Sequence, residues 1–171
     1  MLASSVELNT GRQRLANHEN IRLDTFGGVS FLWVKTPPYK GNGGGRMLNM
    51  LAYAFRVCLP STTRELARPD VVVGSSVHPF AAVSGAWLAK RYSVPFVFEV
   101  RDLWPQTLVD LGRLKNTSLM TRLLRWLELW LYRRADKIVV LLPKAVDYIA
   151  PLGVAADKVV WIPNGVELDG Y

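Results

Sequence analysis

Apolar runs and polar breaks alternate along this chain at two different periods, and the alternation divides it into strands and helices. Val29 to Lys35 is a run of β-branched and aromatic residues stopped by Pro37 and Pro38, neither of which can donate to a β-ladder. Asp70 to Gly74, Pro95 to Val100, Lys137 to Leu142 and Val159 to Ile162 are further short apolar runs, of the kind used by strands buried on both faces. Helical stretches lie between them. Arg46 to Leu59 is apolar almost all round, which predicts a heavily buried helix ended by Pro60. Pro79 suits the first turn of a helix that continues to about Arg91. Ser118 is a good N-cap for a helix running to about Ala135. Its apolar residues Leu119, Met120, Leu123, Leu124, Leu127, Trp130 and Leu131 recur at helical spacing and mark the expected core face. Pro143 to Ala150 reads as a short helix and Pro163-Asn-Gly165 as a turn. Residues 1–28 carry no sustained period, and Glu7 to Asn20 is polar enough for a loop.

Strands alternating with helices predict βαβ units, and therefore an α/β chain with a doubly wound, Rossmann-like parallel sheet. Its central strands are expected to include Asp70–Gly74, Pro95–Val100 and Lys137–Leu142. Ligands of such sheets bind outside the carboxyl ends of the strands. The apolar runs end in polar residues at the same relative point, so Ser76, His78, Arg101 and Asp102 should share one edge.

Length and composition narrow the picture. The 171 residues suit one domain, and 50% hydrophobic content is ample for a core. No apolar run reaches the roughly 18 residues of a membrane-spanning helix. The start lacks the basic and apolar regions of a signal peptide. Cys58 is the only cysteine, so no internal disulfide forms and the reducing cytoplasm is the natural compartment. A net charge of +7 favours an anionic partner. Nucleic acid is the weakest choice, because there is no zinc-finger spacing and the arginines are dispersed through apolar helices.

Three stretches carry candidate chemistry. Arg101 and Asp102 follow the strongest strand run, either as an ion pair closing the strand or as a site. Gly43, Gly44, Gly45 and Arg46 open a helix, where backbone N–H groups can cradle a phosphate. The string has no Gly-Lys-Ser/Thr of a Walker loop, and Arg46 occupies the last glycine position of the dinucleotide fingerprint, which disfavours an NAD(P)-binding Rossmann enzyme. The helix after Ser118 sets Arg122, Arg125 and Arg133 opposite its expected core face, with Trp126 and Leu129 beside them. That face is either a solvated arginine stripe or a membrane-surface helix.

Phe98-Glu-Val-Arg-Asp-Leu-Trp-Pro105 resembles a segment of bacterial family 4 glycosyltransferases, the retaining, nucleotide-sugar-dependent group with the two-domain GT-B fold. More narrowly, it resembles the amino-terminal domain of enzymes that build O-antigen and capsule sugars. The resemblance extends through Lys35-Thr-Pro-Pro-Tyr-Lys-Gly-Asn-Gly43, Ser76-Val-His-Pro79 and Ile162-Pro-Asn-Gly-Val166, in the order that family has them. It implies one half of a GT-B fold acting on a lipid-linked glycan at the cytoplasmic membrane face. No cofactor and no metal ion are implied, because basic side chains and helix N-termini stabilise the leaving diphosphate.

The resemblance gives Asp102 and Arg101 the catalytic places, Asp102 binding an acceptor hydroxyl and Arg101 offsetting negative charge. His78, Ser76, Gly43, Gly44, Gly45 and Arg46 become acceptor or diphosphate contacts. In many relatives a histidine lies near the position that Arg101 holds here. Against the family pattern, residues 1–171 form one domain truncated at both ends. Leu2 to Ser5 matches the end of the second strand, the first βα unit is absent, and residues 163–171 start the interdomain linker. The nucleotide sugar is bound mainly by a carboxyl-terminal domain whose hallmark is a pair of glutamates at fixed spacing. None of Glu7, Glu19, Glu65, Glu99, Glu128 and Glu167 reproduces that pair. The expected partners are thus a nucleotide sugar, a lipid-linked glycan, an anionic membrane surface, and a carboxyl-terminal GT-B domain or a partner chain. The alternative is an acceptor-binding subunit or fragment that needs such a chain.

Overall fold

Four of the apolar runs pair into one all-parallel sheet, in the order β4 (Val72–Ser75), β5 (Phe96–Val100), β6 (Lys137–Val140) and β7 (Val159–Trp161). The computed structural model that shows this describes residues 1–165 apart from Asn9 and Asn42. The expected linker residues 166–171 lie outside the described residues. Three shorter strands, β1 (Leu2–Ser4), β2 (Ile21–Phe26) and β3 (Val29–Val34), form a second sheet in the order β1-β3-β2. The chain divides accordingly into two compact units, Met1–Arg68 and the part from Pro69 onward.

In the second unit, helix α3 (Pro79–Tyr92) joins β4 to β5, and α5 (Leu119–Arg134) precedes β6. The short helix α4 (Gln106–Asp110) comes before α5 in the same crossover, and α6 (Ala145–Ile149) lies in the crossover from β6 to β7. The parallel registers require each connection to cross back over the sheet, as in a βαβ chain. The core is Phe96, Phe98, Val100, Ile138 and Val140 from the sheet, packed on the small face of α3 and on Leu131 and Tyr132 of α5. Phe98 and Tyr132 meet at 5.6 Å between ring centroids. Asp136 fastens the start of β5, its carboxylate accepting from the Phe96 N–H at 2.8 Å. Ser118 caps α5 as its position predicts, its hydroxyl accepting from the Thr121 N–H at 3.1 Å.

Three expectations need correction. The strand starting near Asp70 is not central: β4 is an edge of the four-stranded sheet, with Val71 and Val73 exposed. The core face of α5 is rotated from the one expected. Leu119, Met120, Leu123 and Trp130 are exposed, while Thr121, Leu124, Glu128, Leu131 and Tyr132 face the core. The buried set still follows the helical period, but two of its members are polar, so a search for apolar residues lands on the wrong stripe.

The third concerns the first unit. Helix α1 (Gly44–Cys58) buries only Asn49 and Val57, and Met47, Leu48, Leu51 and Phe55 are exposed. Asn49 is buried because it donates to Thr36 Oγ1 at 2.9 Å and to the Pro37 carbonyl at 2.8 Å. The one-turn helix α2 (Pro60–Thr63) follows directly. Strand β2 pairs antiparallel with β3 through Gly27 and Gly28, both at positive φ, as a two-residue hairpin demands.

Close approach of β4 and α3 depends on a pair of glycines. A Cβ on Gly74 would lie 2.9 Å from Phe96 Cε2 and 3.2 Å from Ala82 Cα, and one on Gly85 would lie 3.1 Å from Gly74 Cα. Gly74→Ala must push α3 off the sheet or displace the Phe96 ring. We expect a loss of roughly 1–3 kcal/mol of stability, read from the urea unfolding midpoint. An unchanged midpoint would show that the helix has room to move.

Candidate functional site

Two neighbouring strands deliver polar residues to one edge. In register, Ser75 lies beside Glu99, so Ser76 emerges where β5 runs out into Arg101 and Asp102. Ser76 is buried, and its hydroxyl accepts from the Arg101 N–H at 2.8 Å and faces the Asp102 N–H at 3.4 Å. Its own N–H donates to the Glu99 carbonyl at 2.9 Å. Ser76 therefore extends the β4–β5 ladder by side-chain bonding and fixes the turn that presents Arg101 and Asp102. Both of those side chains are exposed, and they form no salt bridge with each other. The strand-closing ion pair is thus not what holds this turn.

His78 stands at the same edge but is engaged in structure. It is the N-cap of α3, and its Nδ1 accepts from the Ala81 N–H at 3.1 Å. With Nδ1 as acceptor, Nε2 is the nitrogen that carries the ring proton. Gly43, Gly44, Gly45 and Arg46 belong to the first unit, where they open α1. Gly43 is its N-cap, no side chain caps the helix, and the three glycines are exposed.

A cleft opens beside the turn, lined by Ser76, Asp102 and Trp104 on one side and by Leu124, Glu128 and Tyr132 of α5 on the other. Sequence reasoning singled out Glu128 only to reject it as half of a glutamate pair. It is 6% exposed, and each carboxylate oxygen accepts from a phenol: Tyr132 to Oε1 at 2.9 Å and Tyr148 to Oε2 at 3.2 Å. Burial pushes its carboxyl up to about 7, against the two phenol bonds and the Arg125 guanidinium, which pull it down. Both phenols are in turn pushed up, first by burial and then by the Glu128 charge. The signal was present in the sequence, since Leu124, Glu128 and Tyr132 are four apart on one helix face. Trp104 also escaped notice as a donor. Its Nε1 is buried without a hydrogen-bond partner among the described residues.

A parallel sheet whose polar edge carries a charged turn over a small cleft is where such folds place their ligands. Residues 4–165 match the profile of the glycosyl transferase 4-like domain. The chain belongs to that family. The glycosyl transferase 4-like domain described here is also similar to the probable glycosyltransferase WbjE of Pseudomonas aeruginosa, with 39% identity over 92 residues. The match covers 53% of this chain and 22% of that relative's length. The domain is accordingly a Rossmann-like α/β half of a GT-B fold, and its parallel edge is the natural place for its site. Among the described residues no group of three or more His, Cys, Asp or Glu side chains could hold a metal ion.

The outward face of α5 carries Arg122, Arg125, Trp126 and Arg133, all exposed, whereas Leu129 is half-buried. Leu119, 80% exposed, and Leu123 join Trp126, 62% exposed, on that face. Arg125 is tethered, donating to Asn116 Oδ1 at 2.7 Å and to Gln106 Oε1 at 3.3 Å. No helix among the described residues is long and apolar enough to cross a membrane.

The Glu128 carboxyl makes a stability signature. Tyr132 and Arg125 on its own helix, Tyr148 on α6 and Asp102 on the turn are the ionisable groups around it. Unfolded, its carboxyl titrates near 4.5; folded, near 7. The folded state holds the proton more tightly, so stability falls as pH rises from about 4.5 to 7, and the loss is complete above that. Over pH 5 to 8 the protein should lose roughly 2–3 kcal/mol relative to Glu128→Gln, which has no proton to release. Parallel urea midpoints for the two proteins across that range would refute a buried acid.

Proposed function

We propose that this chain is the acceptor-side half of a retaining, nucleotide-sugar-dependent glycosyltransferase that extends a lipid-linked glycan in surface polysaccharide synthesis. The observation that carries the reading is the Arg101–Asp102 turn, pinned by Ser76 at the carboxyl edge of a parallel sheet in a glycosyl transferase 4-like domain. In the reaction, an acceptor hydroxyl forms the new bond to the anomeric carbon as the bond to the nucleotide diphosphate breaks. Asp102 binds the acceptor hydroxyl, and Arg101 offsets the charge that gathers on the diphosphate. Ser76 acts as a positioning residue, and His78 by shaping the strand-to-helix junction. In the first unit, the start of α1 at Gly43 to Gly45, with Arg46, is by itself a further candidate acceptor or diphosphate contact. Neither cofactor nor metal enters this scheme.

The nucleotide-binding half is proposed to be a carboxyl-terminal GT-B domain or a partner chain. Catalysis needs donor and acceptor held together in near-attack geometry, an effect worth roughly 7–11 kcal/mol. We therefore expect no sugar transfer by the 171-residue chain and transfer after fusion of a family carboxyl-terminal domain following Gly165. Arg101→Ala and Asp102→Asn in the fusion should each lower kcat/KM about 100-fold, a loss typical of a charged group acting at the transition state. Turnover by the chain alone, or full activity of both variants, would sink the assignment.

The same reading places the protein on the inner face of the cytoplasmic membrane, held there peripherally by α5. Arg122, Arg125 and Arg133 meet anionic headgroups while Trp126, with Leu119 and Leu123, enters the interface. Half-buried Leu129 contributes packing instead. The chain should bind anionic vesicles in low salt and release them as screening shortens to about 10 Å at 0.1 M. Arg122→Glu with Arg125→Glu should weaken that binding about tenfold or more, at about 1 kcal/mol per lost cation and more for reversal. Equal affinity for neutral and anionic vesicles would count against it.

A further inference from the structure

The solvent side of helix α1 is apolar along its length. Phe55 is 68% exposed and Leu48 57%, and Met47 and Leu51 are exposed with them. At the helical period the four fall on one stripe, roughly 100° of the circumference. The opposite side of the helix is fastened down. Asn49 donates to Thr36 Oγ1 and to the Pro37 carbonyl, and the Tyr53 hydroxyl donates to the Leu2 carbonyl at 3.1 Å. Val57 is buried on that side. Rolling α1 to cover the stripe would break these bonds, so folding of the first unit leaves the stripe facing water. A contiguous exposed apolar face of this kind marks a surface that meets a partner.

Charge selects the partner. The sequence has no Asp or Glu between Asp24 and Glu65, and the charged residues of α1 are both cations, Arg46 and Arg56. Arg56 is half-buried at the flank of the stripe, and Lys40 is exposed ahead of the helix. A second copy docked stripe to stripe would bring these cations together, with no acidic side chain in either stretch to offset them. A bilayer containing anionic lipid uses both features. Apolar side chains enter the boundary of the acyl chains while the cations reach the headgroups.

We propose that α1 is an in-plane membrane helix of the first unit, with Leu48, Leu51 and Phe55 entering the interface of an anionic bilayer and Lys40 and Arg56 at its headgroups. This goes beyond the role given above to α5, which belongs to the other unit, and it does not depend on that role.

The test uses the 171-residue chain with vesicles of phosphatidylcholine, alone or mixed equally with phosphatidylglycerol. Leu51→Cys in a Cys58→Ser background carries an environment-sensitive dye. Its emission should move to shorter wavelength on the mixed vesicles and be quenched by a nitroxide on the lipid acyl chain. In co-sedimentation, Leu48→Ser with Phe55→Ser should weaken binding to mixed vesicles about tenfold or more. Lys40→Glu should weaken it about fivefold or more. These three changes fall on exposed side chains, and an unaltered circular dichroism spectrum should confirm the fold. The proposal is overturned if the dye emission does not move on vesicles that bind the protein, if the serine variant binds as tightly as the parent, or if neutral vesicles bind equally well. Dimerisation of the parent that the serine variant abolishes, read by sedimentation velocity, would make the stripe a contact between copies and overturn it too. Vesicle binding without a shift at position 51 would remove α1 and leave α5 as the membrane element. A shift at position 51 with full affinity in Arg122→Glu with Arg125→Glu would do the reverse.

Discussion

The hydrogen bond from the Arg101 N–H to the buried Ser76 hydroxyl joins the ends of two strands whose ladder has already run out. Parallel strands pair through evenly spaced backbone bonds, and beyond the last of them each chain is free to leave in its own direction. Here the ladder is prolonged by one side chain. Ser76 is held by its own N–H on the Glu99 carbonyl, and its hydroxyl then takes the N–H groups that follow β5. A serine buried to 3% exposure has few other ways to satisfy its hydroxyl, so hydrogen-bond satisfaction helps to fix the turn. The orientation of Arg101 and Asp102, and with it the mouth of the cleft, follows from that one bond.

Helix α5 meets the sheet under a different constraint. Its core face includes a carboxyl, and a carboxyl buried without donors would be prohibitively costly. Tyr132 one turn along the same helix and Tyr148 from α6 supply the donors, so the acid also ties the two helices together. Burial nevertheless outweighs those bonds and keeps the proton affinity high. The acid is thus a brace between α5 and α6, with both carboxylate oxygens held by phenols from the two helices.

How much of this could be read from the residues depends on whether apolarity carried the signal. The runs at Pro95–Val100 and Lys137–Leu142 became strands within about two residues of their predicted ends, because strands buried on both faces are apolar throughout. The turn Arg101–Asp102 and its edge were legible for the same reason, by contrast with the run before them. Strand β2 was not legible: Ile-Arg-Leu-Asp-Thr-Phe is largely exposed, and only Gly27-Gly28 marked its hairpin. Glu128 was missed because a hydrophobic stripe was sought on α5, and the true core face includes Glu128 and Thr121. The order of a parallel sheet is set by long-range pairing, which no local pattern encodes, so β4 was taken as central when it lies at an edge.

The rotation of α5 carries a further consequence. Turning Glu128, Leu131 and Tyr132 inward necessarily turns Leu119, Leu123 and Trp126 outward, since residues one turn apart share a face and those two apart do not. A soluble helix with such a choice would ordinarily bury the leucines and the tryptophan and expose the glutamate, since that removes more apolar area from water and leaves the charge hydrated. The chain does the opposite along its 16 residues. Folding energetics within this unit therefore do not account for the helix's composition on their own. The acid inside is held by the two phenols that tie α5 to α6, and the apolar residues outside are the ones that the proposed membrane-surface role of this helix would use.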